Sequence, residues 1–158
     1  MKKQIFAVVL VAAMSIVLSG GECAGGSNSD FYSASLRPGH EVPPVADAGQ
    51  NGDASVYLSE GDRSMTVTIT TNINSPGKLT AAHLHLGAAG TNGGVLFDIG
   101  GPEGTRFSRT RAAEDMTAVG TVDTWEEFLV ELKAGNVYVN VHTTDNPSGE
   151  IRGQLGRS

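Results

Sequence analysis

The stretch Ser64-Met65-Thr66-Val67-Thr68-Ile69-Thr70-Thr71 alternates with a period of two. Successive side chains of a strand point to opposite faces, so Met65, Val67 and Ile69 share one face and Ser64, Thr66, Thr68 and Thr70 the other. A half-buried strand of this kind calls for antiparallel neighbours and a second apolar layer. Similar readings give strands at Phe31 to Arg37, Ala54 to Ser59, Leu79 to Leu86, Val95 to Ile99, Met116 to Val122, Asn136 to Thr143 and Glu150 to Leu155. Turn signals separate them, at Pro38-Gly39, Glu60-Gly61-Asp62, Asn74-Ser75-Pro76-Gly77 and Pro147-Ser148-Gly149. The 21 glycines in 158 residues suit short strands joined by tight turns. Gly100 to Glu114, with Arg106, Arg109 and Arg111, reads as polar and irregular. His40 to Val45 reads as an extended piece at a sheet edge or on a surface, because Pro43 and Pro44 offer no backbone donor. One helix is expected: Thr124 caps it, Glu127 completes a capping box, Phe128, Leu129 and Leu132 are its buried face, and Gly135 ends it. The expected fold class is all-β, an antiparallel Greek-key sandwich or barrel with one short helix.

The start of the chain does not belong to that domain. Met1-Lys2-Lys3, the apolar run Ile5 to Leu18 and the small residues Ser19-Gly20-Gly21 have the layout of a signal peptide. The expected division is residues 1–23 as signal peptide, 24–30 as a Gly/Ser/Asn-rich leader and 31–158 as the domain. The run is short for a bilayer span and no later stretch is a candidate, so the mature chain is expected to have no transmembrane segment and to be periplasmic or extracellular. The single cysteine, Cys23, cannot form an internal disulfide. It is either a lipid attachment site or discarded with the signal, and Glu22 makes the preceding residues an imperfect lipobox. Without Lys2, Lys3 and Glu22 the formal charge of −6 becomes −7, which argues against nucleic acid as a partner.

Chemistry concentrates in Ala82-His83-Leu84-His85. Its two imidazoles lie on one face of a strand and can grip a transition-metal ion. The chain has four histidines, and His142 alternates with Val141, on the polar side of its own strand. If that strand and the last one form a hairpin, His142 and Arg152 share a polar face. His40 is a candidate fourth ligand on ligand-count grounds, and Asp98, Asp145 and Glu150 are candidates to orient the rings. The competing reading is structural: His83 and His85 hydrogen-bond loop carbonyls and hold the glycine-rich loop after them. Asn140, His142, Thr143, Glu150 and Arg152 then form a network in which Arg152 pairs with a carboxylate. A cysteine nucleophile, a Gly-x-Ser-x-Gly elbow and a phosphate-cradling loop all lack their residues.

Four ordered motifs carry a resemblance: Glu41-Val42-Pro43-Pro44-Val45, Ala82-His83-Leu84-His85-Leu86-Gly87, Gly135-Asn136-Val137-Tyr138-Val139-Asn140-Val141-His142-Thr143 and Pro147-Ser148-Gly149-Glu150-Ile151-Arg152-Gly153-Gln154-Leu155. Together they resemble the CHRD domain, named after chordin and found in many exported bacterial proteins. The His-x-His strand, the late Val-His strand and the final strand with Arg also resemble copper–zinc superoxide dismutase. That second resemblance implies copper ligands at His83, His85 and His142 and a guide for the anionic substrate, superoxide, at Arg152. It does not extend to zinc, because Gly87 to Glu114 contains no histidine. The expectation is an exported domain holding one copper ion, with superoxide dismutation as its activity. The alternatives are copper storage or delivery, and a binding or adhesion module without turnover.

Overall fold

The structure is a computed structural model that describes residues 30–158 apart from 47–48, 60, 62, 75–77 and 102–103. The expected signal peptide, Cys23 and most of the leader lie outside the described residues. Among the described residues nine strands run in the order β1 Phe31–Leu36, β2 Gly52–Ser59, β3 Ser64–Thr71, β4 Leu79–Leu86, β5 Val95–Gly100, β6 Arg106–Ala112, β7 Val137–Thr143, β8 Ile151–Gln154 and β9 Gly156–Arg157. The helix α1, Trp125–Lys133, lies between β6 and β7. One sheet has the order β6-β3-β2-β1-β9 and the other β5-β4-β7-β8. All pairings are antiparallel. The non-consecutive pairs β3–β6 and β4–β7 are Greek-key crossovers between the layers, so the expected all-β sandwich is the fold.

The alternation that predicts β3 also builds the core. Met65, Val67 and Ile69 are fully buried, and Val56 on β2 and Leu36 on β1 join them. They meet Ala82 and Leu84 of β4, Val137, Val139 and Val141 of β7, and Ile151 of β8 in one apolar cluster. Each large aliphatic side chain so buried contributes roughly 1.5–3 kcal/mol. Thr124 and Glu127 form the expected capping box, and Gly135 ends the helix with φ +77. Trp125 and Phe128 of α1 pack on Phe97, with ring centroids 6.2 and 5.1 Å away. Leu129 is only partly buried, and Trp125 takes its place on the apolar face.

Three expected strand assignments are corrected. Arg106 to Ala112 is a strand rather than irregular chain. Arg109 and Arg111 hide its alternation; they sit opposite Val67 and Met65 on an edge strand, where charge is tolerated, and Phe107 opposite Ile69 enters the core. Met116 to Val122 is not a strand. Its apolar residues recur every third position, and Gly120, at φ +60, folds Val119 back onto Val122 in an isolated bridge. The last strand stops at Gln154, and Gly156–Arg157 crosses to pair with Tyr32 and Ser33 of β1. Asp30, expected in the leader, is 9 % exposed and its carbonyl accepts a hydrogen bond from the Leu58 amide at 2.9 Å. Among the described residues no helix is long and apolar enough to cross a membrane.

Candidate metal centre

The outer face of the β5-β4-β7-β8 sheet holds the polar residues singled out above. Registers align Asp98, His83, Asn140 and Arg152 in one cross-strand row, and Val95, His85, Tyr138 and Gln154 in the next. His142 lies one step along β7, opposite Ala81. The outward alternation of β4 and β7 therefore delivers three imidazoles to one patch. Every residue of β7 is buried, on both faces, so a further layer must cover the outside.

That layer consists of loops. Gln154 Nε2 donates to the Gly87 and Gly135 carbonyls at 2.8 and 2.7 Å. Arg152 donates to the carbonyls of Thr91 at 2.7 Å and Ala88 at 3.3 Å, and to Asn92 Oδ1 at 3.3 Å. Asn92 Nδ2 ties the same loop to the Val42 carbonyl at 2.7 Å. Gly93 lies so close to β4 that an added Cβ would fall 1.4 Å from the Leu86 carbonyl oxygen. Only glycine can bring its own carbonyl down onto His85 in this way.

His83 Nδ1 lies 2.9 Å from His142 Nε2. One nitrogen from each of His83, His85 and His142 can be chosen so that all three lie within 4.8 Å of one another. The ring tautomers follow from the carbonyls around them. His85 Nδ1 donates to the Gly93 carbonyl at 3.0 Å, and His142 Nδ1 donates to the Pro147 carbonyl at 3.0 Å. A neutral imidazole has one donor and one acceptor, so both rings present a bare Nε2 lone pair. That of His85 is buried and has no partner. An unmet buried acceptor costs about 1–3 kcal/mol, and a metal ion is the kind of group that meets it. Two nitrogens each about 2.0–2.1 Å from one ion lie no more than about 4.2 Å apart, close to the spacing of this cluster, so these residues fit an ion.

Burial holds all three rings neutral, the ligand form. It pushes His85 down to about 4, opposed by the hydrogen bond to the Gly93 carbonyl and helped by the Arg152 charge and by the repulsion that His83 and His142 exert when protonated. His142 is lowered by burial and by His83, against the Pro147 carbonyl. His83 is lowered by burial and raised back by Asp98, whose Oδ1 lies 3.8 Å from Nε2. Of the candidate orienting groups, Asp98 is the one at a histidine. Asp145 pairs with Lys78 at 2.7 Å, and Glu150 Oε2 accepts from Thr143 and Asn146, both at 2.7 Å.

The structure does not bring His40 to the group. Its Nδ1 donates to the Arg152 carbonyl at 3.1 Å, and the residue is exposed beside the Pro38–His40 turn. Arg152 is on the expected polar face but is 2 % exposed and sits opposite Asn140. Among the described residues it has no carboxylate partner, and its donors go to the covering loop. Tyr138, on the polar face of its strand with His142, had no role assigned from the sequence: its ring stacks on His85 at 4.8 Å and 6°, and the Arg152 guanidinium carbon lies 3.4 Å from its centroid. The pairing of β4 with β7 would have revealed it. Glu41 was also missed as a side chain. It is 6 % exposed, Oε1 and the neighbouring Asn140 Oδ1 lack donors, and burial pushes its carboxyl up to about 7 against Arg152 and Asn140.

No curated protein and no solved structure matches the chain significantly. The family model of the CHRD domain matches residues 32–155, from the second residue of β1 to the residue after β8, and takes in all four motifs. The histidine cluster thus lies inside the matched region, and the chain belongs to the CHRD domain family.

Proposed function

We propose that this CHRD domain is exported, holds one copper ion on His83, His85 and His142, and dismutates superoxide. The observation that carries the metal reading is the buried, partnerless Nε2 of His85, converging with two further imidazole nitrogens. A purely structural histidine would be satisfied by the Gly93 carbonyl at Nδ1 and would keep its other nitrogen in water. Copper is preferred because imidazole sites bind it above the other first-row divalent ions, zinc included.

Bound copper would supply one-electron cycling, the chemistry by which two superoxides and two protons become oxygen and hydrogen peroxide. The residues of the chain do the rest. Gly93 and Pro147 carbonyls hold the His85 and His142 tautomers, as backbone acceptors commonly do for ligating histidines. Asp98, with Oδ1 3.8 Å from His83 Nε2, would favour a proton on that nitrogen and so leave Nδ1 free to hold the ion. His83 is half-buried, while His85 and His142 are buried. A small anion therefore approaches along the His83 side. Arg152 attracts it only through the field of a buried charge, because its donors are taken by the loop.

Burial of Arg152 favours a second reading, copper storage or delivery, in which the ion is held tightly and turned over slowly. One experiment separates these. The protein is loaded with copper, dialysed, and assayed for stoichiometry and superoxide decay. One equivalent with rapid decay supports the dismutase; one equivalent with decay no faster than a blank supports storage. Less than a tenth of an equivalent removes the metal reading and leaves a binding or adhesion module.

A further inference from the structure

Three planar groups lie in a column: the Arg152 guanidinium, the Tyr138 ring and the His85 imidazole. The guanidinium carbon is 3.4 Å from the Tyr138 centroid, and the Tyr138 and His85 rings are 4.8 Å apart and within 6° of parallel. Tyr138 is 2 % exposed, as is Arg152. The stack is fixed from outside, since the Tyr138 hydroxyl accepts from the Gly93 amide at 3.1 Å and Arg152 is held by Ala88, Thr91 and Asn92. Backbone carbonyls and an amide leave the guanidinium charge in place, and Glu41, which feels that charge, is pushed up to about 7 by burial and so offsets it only in part. Arg152 and Tyr138 are both almost wholly buried, so added salt screens the charge weakly.

We infer that the Arg152–Tyr138–His85 stack biases the three-histidine site toward the reduced, singly charged copper ion. This rests on the copper reading above. A fixed positive charge repels both oxidation states, but it repels the doubly charged ion by one unit more. At a separation on the order of 10 Å and an effective dielectric of about 20, one unit of charge changes an equilibrium by about tenfold. Arg152 is thereby a positioning residue that also tunes the site: it touches no ligand nitrogen and acts through the ring between. A residue that merely pins the loop would weaken both oxidation states alike.

Affinities for cuprous and cupric ions are measured separately, by competition with chromogenic chelators, on the full chain carrying Arg152, Arg152→Gln or Arg152→Lys. Gln keeps a donor for the loop carbonyls and removes the charge; Lys keeps the charge and loses the flat stack. Arg152→Gln should lower cuprous relative to cupric affinity about tenfold, equivalent to a fall of about 59 mV in the one-electron potential. Arg152→Lys should change the ratio less than twofold. If Arg152→Gln does not fold, as circular dichroism would reveal, Ala89→Glu takes its place. Ala89 is exposed and lines the same cavity as Arg152, so a carboxylate there should move the ratio the same way without disturbing the core. An unchanged ratio in the neutralised variant, or equal shifts in Gln and Lys, overturns the inference while wild-type copper binding stands. A wild-type chain that retains neither ion overturns the copper reading and the inference with it.

Discussion

Replacing His85 by phenylalanine separates a metal ligand from a structural histidine, because the two roles predict opposite signs for the metal-free protein. The imidazole makes one hydrogen bond, to the Gly93 carbonyl at 3.0 Å, and stacks on Tyr138. Losing that bond costs about 0.5–1.5 kcal/mol. Phenylalanine keeps the ring–ring contact and removes the buried Nε2 that has no partner, which recovers about 1–3 kcal/mol. The metal-free variant should be as stable as wild type or up to about 2 kcal/mol more stable. Its acid response should change too. Burial holds folded His85 at about 4, below its ordinary 6.5, so between those values the unfolded chain takes up a proton that the folded chain refuses. Wild-type stability is therefore full above 6.5 and is lost as pH falls toward 4, and His85→Phe should lose less of it. Copper reverses the order. At a free ion concentration of 100 times Kd, wild type gains about 2.7 kcal/mol, whereas a variant short of one ligand should bind more than about 100-fold more weakly and gain little. Urea titrations at pH 7, with and without copper, read both effects. A metal-free His85→Phe destabilised by more than about 2 kcal/mol that still gains stability from copper as wild type does would refute this account.

Asp98→Asn should weaken metal binding about tenfold with the fold unchanged, since the Asp98 side chain is 72 % exposed; isothermal titration and a urea melt check the two halves. Gly149→Ala should destabilise the domain by at least about 2 kcal/mol, measured by urea titration, because φ is +142 and the new Cβ would lie 2.6–2.7 Å from Asn140 and the Glu41 carboxylate. Glu41→Gln should raise stability at pH 8 relative to wild type. Burial lifts the folded Glu41 carboxyl from 4.5 to about 7, so the folded chain holds a proton that the unfolded chain releases, and wild-type stability falls as pH rises through that window. Thermal melts between pH 4 and 9 should be flatter for the variant across it.

Strict alternation made β3 and β7 legible from sequence, as did the Thr124–Glu127 box for α1. The arginine-bearing edge strand was not, because an edge accepts charges that a central strand would reject. His83, His85 and His142 could be found because period-two geometry and one hairpin place them. His40 and Arg152 show the limit of that reasoning. Their positions on the chain were readable, but their partners are backbone carbonyls, which no residue letter advertises. Tyr138 and Glu41 were missed for a related reason: each acquires its role from a strand register or a covering loop set by contacts distant in sequence.

The pairing of β9 with β1 has a consequence for how the domain can be rebuilt. Ser33 Oγ and Ser158 Oγ are 2.6 Å apart, so the chain leaves the sandwich where it entered. A short glycine–serine bridge from Ser158 to Phe31 would close the domain into a ring. Fresh termini could then be cut between β2 and β3, two strands that carry none of the three clustered histidines. Such a circular permutant should fold with its metal-binding face intact. It would display its ends at the β2–β3 hairpin, giving a tether or reporter a point of attachment that bears on neither the histidine cluster nor the leader.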